Sequence, residues 1–293
     1  MSVNAPVAFA QKYTTMVQLL LQQRGSRFRD AVTVQSITGA KAAKAMEQIG
    51  AVNPVKNQAR HSDTPLVSTP HDARWMYPND YDWADLIDEQ DMLRMVADFK
   101  SPYVVNGTYA MGRAQDDEIV TALFASAATG ENGGTPVPFP SAQQVLVTEG
   151  ATGNTGMNIA KLRAAKKLLL EAEVDLDNDP LFCAISAKQH NDLLNEAQAI
   201  NLDYTDKPVL VEGRIRSFMG FQFINSERLP VNGSSQRRCP VWAKSGVALG
   251  VWNDIQTSLD RRPDKRNSWQ VYVTGTFGAT RLEEKKVVEI PCV

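Results

Sequence analysis

Three glycines, Gly150, Gly153 and Gly156, lie between a short apolar run and a stretch with helical periodicity, the place where a phosphate-cradling loop is built. Such a loop needs Lys followed by Ser or Thr directly after its last glycine, so that an ammonium reaches the phosphates and a hydroxyl reaches magnesium. Here Gly156 is followed by Met157 and Asn158, and Lys161 comes too late. The dinucleotide spacing fails as well, because these glycines are three apart throughout. The plain alternative is a hinge into a helix, and an α/β nucleotide-binding enzyme using Gly150–Gly156 is the rival reading it must beat.

The other reactive side chains are equally uncooperative. His61, His71 and His190 are the three histidines; none stands at i, i+4 from another or beside a cysteine pair, so no metal site is expected. No Gly-x-Ser-x-Gly elbow is present. Asp116, Asp117 and Glu118 are consecutive in a helical stretch and therefore point in different directions, which favours a solvated or interfacial face over a carboxylate site. Cys183, Cys239 and Cys292 are few, odd in number and far apart, which argues for a reducing compartment and against a disulfide framework. No catalytic residue, cofactor or metal is expected, and the chain does not read as an enzyme.

The elements around these residues form a loose series. Phe9, Tyr13, Met16 and Leu20 share a helical face, predicting a first helix over residues 7–24 closed by Gly25. From Ser26 to about Tyr81 no strong helix and no dense alternation occurs, and Pro54, Pro65, Pro70 and Pro78 interrupt the chain. A span this long with weak signals is rare inside a compact domain. Within it, Ala31–Thr38 and Lys44–Val52 are candidate strands of a projecting hairpin. Ser101 as cap and Pro102 at the first position open a long helix expected to reach Ala128 and end at Gly130, its first half rich in small residues such as Gly107 and Gly112. A strand is expected at Gln144–Thr148. A second helix carries Ile159, Leu162, Ala165, Leu169 and Ala172 on one face. Leu181–Ile185 reads as a strand, and Ser186 with Gln189 as the capping box of a third helix reaching Ala199. The rest is strand-like, with Trp269, Val271, Val273, Gly275 and Phe277 alternating to one side. The class is α+β.

Charge separates along the chain. The formal net charge is −2, which excludes a strongly basic nucleic-acid binder. Residues 1–62 nevertheless hold eight Lys and Arg against two acids, a net +6, whereas residues 63–99 hold nine acids against two arginines, a net −7. The two segments can pair within one chain or head to tail between copies, which generates rings and shells, or they can simply be a locally balanced surface. Arg24, Arg27, Arg29, Lys41, Lys44, Arg60, Asp85, Asp88 and Glu89 are the candidate inter-subunit contacts. No apolar run approaches bilayer length, and no secretory signal is recognisable at the N-terminus.

One ordered series of segments carries a family resemblance. Arg60-His61-Ser62-Asp63-Thr64-Pro65-Leu66-Val67 leads to Tyr81-Asp82-Trp83-Ala84-Asp85-Leu86-Ile87-Asp88, and Gly112-Arg113-Ala114-Gln115-Asp116-Asp117-Glu118-Ile119 follows. Downstream stand Phe218-Met219-Gly220-Phe221-Gln222-Phe223, Leu229-Pro230, Trp242-Ala243-Lys244-Ser245-Gly246-Val247-Ala248-Leu249, Arg262-Pro263-Asp264-Lys265 and Gly278-Ala279-Thr280-Arg281. From about residue 30 onward the series resembles the major capsid (coat) proteins of tailed bacteriophages.

The resemblance implies the Hong Kong 97-type fold, divided into an N-terminal arm (1–36), an extended loop (37–84), a peripheral domain (85–156) with a spine helix (102–128), an axial domain (157–250) and return strands to the peripheral domain (251–293). It also implies self-assembly into pentamers and hexamers of an icosahedral head assembled in the bacterial cytoplasm. That head would enclose double-stranded DNA without sequence-specific binding. Scaffolding and portal proteins, and a decoration protein, are the further partners it implies, with no membrane. An encapsulin-like compartment, which shares the fold and holds enzymes instead of a genome, is the nearest alternative.

Overall fold

The structure, a computed structural model, describes residues 19–39, 41–56, 64, 66–88, 100–196, 210–211 and 214–293. In chain order the strands and helices are β1 (Thr33–Ser36), β2 (Ala43–Ile49), β3 (His71–Met76), β4 (Asn79–Ile87), α1 (Lys100–Phe124), β5 (Ala127–Thr129), β6 (Thr135–Val137), α2 (Ile159–Glu171), β7 (Leu181–Ile185), α3 (Ala187–Asn195), β8 (Leu210–Val211), β9 (Arg214–Ile215), β10 (Ser217–Phe218), β11 (Phe221–Asn225), β12 (Arg237–Ala243), β13 (Val247–Arg262), β14 (Ser268–Arg281) and β15 (Val287–Cys292).

They make an α+β fold with two large sheets, a further four-stranded sheet of short strands in the order β2-β3-β5-β6, and a two-stranded β8-β9 ribbon. The first has the order β1-β13-β14-β4, antiparallel except for β1 against β13. The alternation of β14 puts Val271, Val273 and Phe277 fully inside, against α1. Each such side chain contributes ~1.5–3 kcal/mol of burial. Gly107 of α1 allows that contact: a Cβ there would lie 2.6 Å from the Trp83 ring and 2.7 Å from Val273. The second sheet has the order β10-β11-β7-β12-β15, and α2 packs on its β15 side with Leu162, Ala165 and Leu169 fully buried. Trp242 of β12 is fully buried and donates its indole N–H to Ala31 O at 2.9 Å, tying the N-terminal segment to this core.

Two short 3-10 turns join the sheets. Lys244–Gly246 carries β12 into β13, and Glu284–Lys286 carries β14 into β15. The turns lie side by side: Leu282 N–H donates to Gly246 O at 2.8 Å, and Lys286 Nζ donates to Ser245 Oγ at 3.0 Å.

Several expectations are corrected. The long helix is already helical at Lys100, so Ser101 lies inside it and is not its cap. It stops at Phe124, because Ala127–Thr129 is drawn off to pair with β3 and the Arg281 guanidinium donates to the carbonyls of Leu123 and Ala125 at 3.1 and 2.9 Å. Gly130, with φ +90, serves the β5–β6 turn rather than the helix end. The first expected helix lies mostly outside the described residues, and its described end, Leu19–Arg24, is not helical. Between Ser26 and Tyr81 the strands expected at Ala31–Thr38 and Lys44–Val52 are present as β1 and β2, and β3 comes in addition to those expected. The low apolar density of all three reflects strands exposed on part of both faces. β1 and β2 do not form a hairpin with each other, since β1 pairs with β13 and β2 with β3. Gln144–Thr148 is no strand; only Gln144 makes an isolated bridge, to Glu289. The third helix ends at Asn195 within the described residues. Ser186 bonds the Gln189 side chain instead of the helix backbone.

Candidate assembly interface

Residues 22–29 cross the long helix α1 at a site built from one helical turn. Gly112 supplies room: a Cβ there would lie 2.5 Å from Gly25 C and 2.6 Å from Ser26 N. Four residues on, and so on the same face, Asp116 supplies the grip. Its buried carboxylate accepts the main-chain N–H of Arg27 at 3.0 Å, that of Phe28 at 3.1 Å and the Ser26 hydroxyl at 2.5 Å, with the Gln23 amide as a further donor. Arg113 adds a bond to Gln22 Oε1 at 2.8 Å, and Gln22 donates to Asn106 at 3.0 Å. Beyond the crossing Phe28 is fully buried against Trp242, ring centroids 5.9 Å apart.

Of the solvated or interfacial face expected for Asp116–Glu118, Asp116 is not solvated: it is buried where the N-terminal segment meets α1. The three acids do diverge, as helix geometry demands, but each meets a different element. Asp117 takes a two-pronged bond from Arg228, with Arg228 Nε at 2.6 Å. Glu118 accepts from Asn79 at 2.9 Å and from the Tyr81 hydroxyl. Burial and that bond hold the Tyr81 proton well above its ordinary range. The signal that would have found Asp116 is its i, i+4 relation to Gly112: a gap and a buried acceptor on one face.

β2 and β3 form a hairpin whose base is clamped. Arg74, nearly buried, donates to Leu282 O at 3.1 Å and pairs with Glu284 at 2.7 Å. Glu284 also faces the buried Arg281 at 3.9 Å. Asp72 accepts the Thr129 hydroxyl at 2.6 Å and Gly130 N–H at 3.0 Å; the Thr129 bond is the main cause that holds its carboxyl below the ordinary range. Trp75 donates to Gly130 O at 2.8 Å. Away from this base the hairpin and its connection expose apolar side chains: Ile49 is 68 % and Leu66 97 % exposed, and Val52, Val55 and Val67 are exposed as well.

The candidate contact residues are scattered over these features. Arg24 and Lys41 are exposed. Arg27 donates to Asn225 O. Arg29 makes a two-pronged pair with Asp254 of β13, both bonds 2.9 Å, which holds the Asp254 carboxyl below its ordinary range. Lys44 reaches Glu47 at 3.4 Å and lies over the Trp75 ring at 5.7 Å. Asp85 accepts the N–H of its neighbour Leu86 at 2.8 Å, and Asp88 the Ser268 hydroxyl at 2.6 Å. Arg60 and Glu89 lie outside the described residues. None of the described ion pairs joins the basic segment to the acidic one.

The glycine loop is filled by the chain itself. Asp192 accepts Met157 N–H at 3.2 Å beside Gly156, where a phosphate would have to sit. Asn158 caps α2 by accepting Lys161 N–H at 2.7 Å. The Lys161 ammonium is buried and held by main-chain carbonyls, donating to Thr155 O of the loop itself and to Pro291 O at 2.8 Å each. Among the described residues no three His, Cys, Asp or Glu converge as metal ligands, and no helix is long and apolar enough to cross a membrane. His71 is exposed, and His190 accepts Ile215 N–H at 3.4 Å.

A family model described as phage capsid protein matches residues 5–293. No curated protein matches the sequence. Among solved structures, the capsid of cyanophage P-SCSP1u is similar at 15 % identity with a TM-score of 0.75, over 97 % of this chain and 93 % of that one. The capsid asymmetric unit of cyanophage Pam1 is similar at 12 % identity and 0.71, over 97 % and 96 %. The mature capsid of bacteriophage PhiM1 is similar at 11 % and 0.70, over 97 % and 92 %. At these identities the likeness is one of fold.

Proposed function

Because this chain belongs to the phage capsid protein family, we propose that its copies close into pentamers and hexamers of an icosahedral head around double-stranded DNA. Its role is that of a structural coat subunit, not an enzyme. The observation that carries the finer reading is the β2–β3 hairpin: a clamped base and a set of exposed apolar side chains, Ile49, Val52, Val55, Leu66 and Val67. On this reading they form the contact surface for a neighbouring copy. In a shell they lie against the next copy, and many modest contacts of this kind multiply into a stable whole.

The domain plan follows the same reading. Residues 1–36 act as the arm, pinned to α1 at its inner end; 37–84 form the extended loop; 85–156 the peripheral domain, with α1 as the spine; 157–250 the axial domain; and 251–293 return to the peripheral sheet. The plan departs from the sheets at three places: β15 pairs with β12 in the axial sheet, while Asn79–Ala84 of β4 and Val247–Gly250 of β13 pair with β14 in the peripheral one. Among the candidate contacts, Arg24, Lys41, Lys44 and Asp85 present exposed charge to neighbours, and Arg60 and Glu89 are assigned the same role. Arg27, Arg29 and Asp88 brace the subunit internally. Scaffolding, portal and decoration proteins are the further partners of this reading, with assembly in the bacterial cytoplasm.

Electron microscopy of the expressed chain, alone and with its phage's scaffolding protein, tests the proposal. Closed shells or five- and six-membered rings are the expected result. A discrete monomer under both conditions at high concentration overturns it, and shells that hold protein cargo instead of nucleic acid favour the encapsulin-like alternative.

A further inference from the structure

Three asparagines are followed directly by glycine: Asn106, Asn132 and Asn232. An Asn-Gly pair is chemically labile, because glycine has no side chain to shield its main-chain nitrogen from the asparagine amide. Reaction also needs that nitrogen to be free and the amide to swing onto it. The fold treats the three pairs differently. Asn106 is inside α1, where the Gly107 N–H is committed to the helix, and its Oδ1 accepts from Gln22 at 3.0 Å. Asn232 is locked in a local turn. Its Oδ1 accepts the N–H groups of Ser234 and Gln236 at 3.0 and 2.9 Å, and its Nδ2 donates to Gln236 Oε1 at 2.9 Å.

Asn132 has none of these restraints. It is exposed in the turn between β5 and β6, and no hydrogen bond or ion pair among the described residues holds its side chain. Two glycines follow it, and a Cβ at the second, Gly134, would meet nothing within 4 Å. The Gly133 N–H makes one bond, to Gly130 O at 3.4 Å, which is long and readily released. Gly133 itself has φ +70 and packs on Trp75 and Tyr77, so the turn calls for glycine at the very position where the reaction does.

We propose that Asn132 is a site of spontaneous deamidation, selected by the fold from the three Asn-Gly pairs. The Gly133 main-chain nitrogen, having lost its proton to solvent, attacks Asn132 Cγ. A C–N bond forms, the Cγ–Nδ2 bond breaks, and the amide nitrogen takes up a proton and leaves as ammonia. Water then opens the succinimide ring. Attack at Cγ gives aspartate, and attack at the main-chain carbonyl of residue 132 gives isoaspartate. One water is consumed and one ammonia released, with nothing oxidised or reduced. Either product adds a negative charge next to Glu131. Isoaspartate also adds a methylene to the main chain of a turn whose neighbouring groups are fixed, Gly130 O by the Trp75 indole at 2.8 Å and Gly130 N–H by Asp72 at 3.0 Å. The proposal does not depend on how copies assemble, since every group in it belongs to one chain.

The test incubates the purified full-length protein in mildly alkaline buffer, folded and in urea, and follows each Asn-Gly pair by peptide mapping with mass spectrometry. In urea all three pairs are expected to react. In the folded protein Asn132 keeps its rate to within a few-fold, whereas Asn106 and Asn232 slow by roughly tenfold or more. The rate at Asn132 rises with pH, and isoaspartate is present in the product. N132S abolishes the new acidic form on anion exchange and leaves the other two rates unchanged. Folding that protects Asn132 as strongly as the other two, reaction at Asn106 or Asn232 ahead of it, or aspartate formed without isoaspartate overturns the proposal. The unaltered chain decides this even if the variant fails to fold.

Discussion

Asp116 and Phe28 are 88 residues apart, yet the Asp116 carboxylate accepts the main-chain N–H of Phe28 at 3.1 Å in a buried setting. The same carboxylate holds Arg27 N–H and the Ser26 hydroxyl, so one side chain fixes where the N-terminal segment leaves α1. Asn at this position replaces an acceptor oxygen with a donor facing donors. D116N is expected to destabilise the chain by about 2–3 kcal/mol, the scale of buried donors left unmatched around a lost charge. Urea unfolding measures it, and a change under about 1 kcal/mol contradicts this account of the crossing.

G112A places a Cβ against the backbone of Gly25 and Ser26. Alanine improves helix propensity by about 1 kcal/mol, so α1 stays intact and the segment across it is displaced. Limited trypsin digestion is expected to cut faster after Arg24 and Arg27 while the helical circular dichroism is unchanged. Unaltered cleavage rates there rule out a tight crossing.

Replacing Ile49, Val55 and Leu66 together with serine removes exposed apolar surface without opening the core. Each surface change is expected to move subunit stability by no more than about 0.5 kcal/mol. The yield of shells should nevertheless fall sharply under conditions where the unaltered chain assembles. Normal shells from the triple variant show that the hairpin does not carry the contact.

Glu284 is the counter-charge to two buried guanidiniums, Arg74 and Arg281. Removing one partner of a buried pair costs ~3–5 kcal/mol, and Glu284 is partly solvated, so E284Q should cost about 2–3 kcal/mol. Thermal unfolding of E284Q against E284D separates the loss of charge from the loss of length.

The Asp72 carboxyl is held below its ordinary value chiefly by the Thr129 hydroxyl. A lowered folded-state pKa gives stability that is fully present above the unfolded value of about 4 and is lost as pH falls through the folded one. T129V should therefore flatten the acid side of the stability curve, and it should do so below about pH 4, where the two proteins converge. Unfolding midpoints across that range check the sign; an acid limb as steep in T129V as in the unaltered chain would sink the assignment.

Local pattern reveals elements that are amphipathic on their own. α2 and β14 are legible because their apolar residues recur at the helical or strand period. What is not legible depends on partners far along the chain. The end of α1 is set by Arg281 and by the pairing of Ala127–Thr129 with β3, neither visible near Phe124. Of the hairpin, β2 is legible within Lys44–Val52, whereas β3 hides because its buried residues Ala73, Arg74 and Met76 do not alternate. The acids at 116–118 read as surface because their arm, arginine and tyrosine partners arrive from three other elements. The cysteines, all buried and free, read as unrelated because only the strand order sets β7, β12 and β15 next to one another.

The paired turns at Lys244–Gly246 and Glu284–Lys286 have a mechanical consequence. A single connecting strand works as a swivel and lets two bodies rotate about any axis. Two straps laid side by side, cross-bonded from Leu282 to Gly246 and from Lys286 to Ser245, work as a paired tie. They resist torsion about the line that joins them. The junction between the two large sheets is therefore braced against twisting, and the single buried core that runs beneath it, from Phe28 and Trp242 to Leu249 and Phe277, holds them as one body.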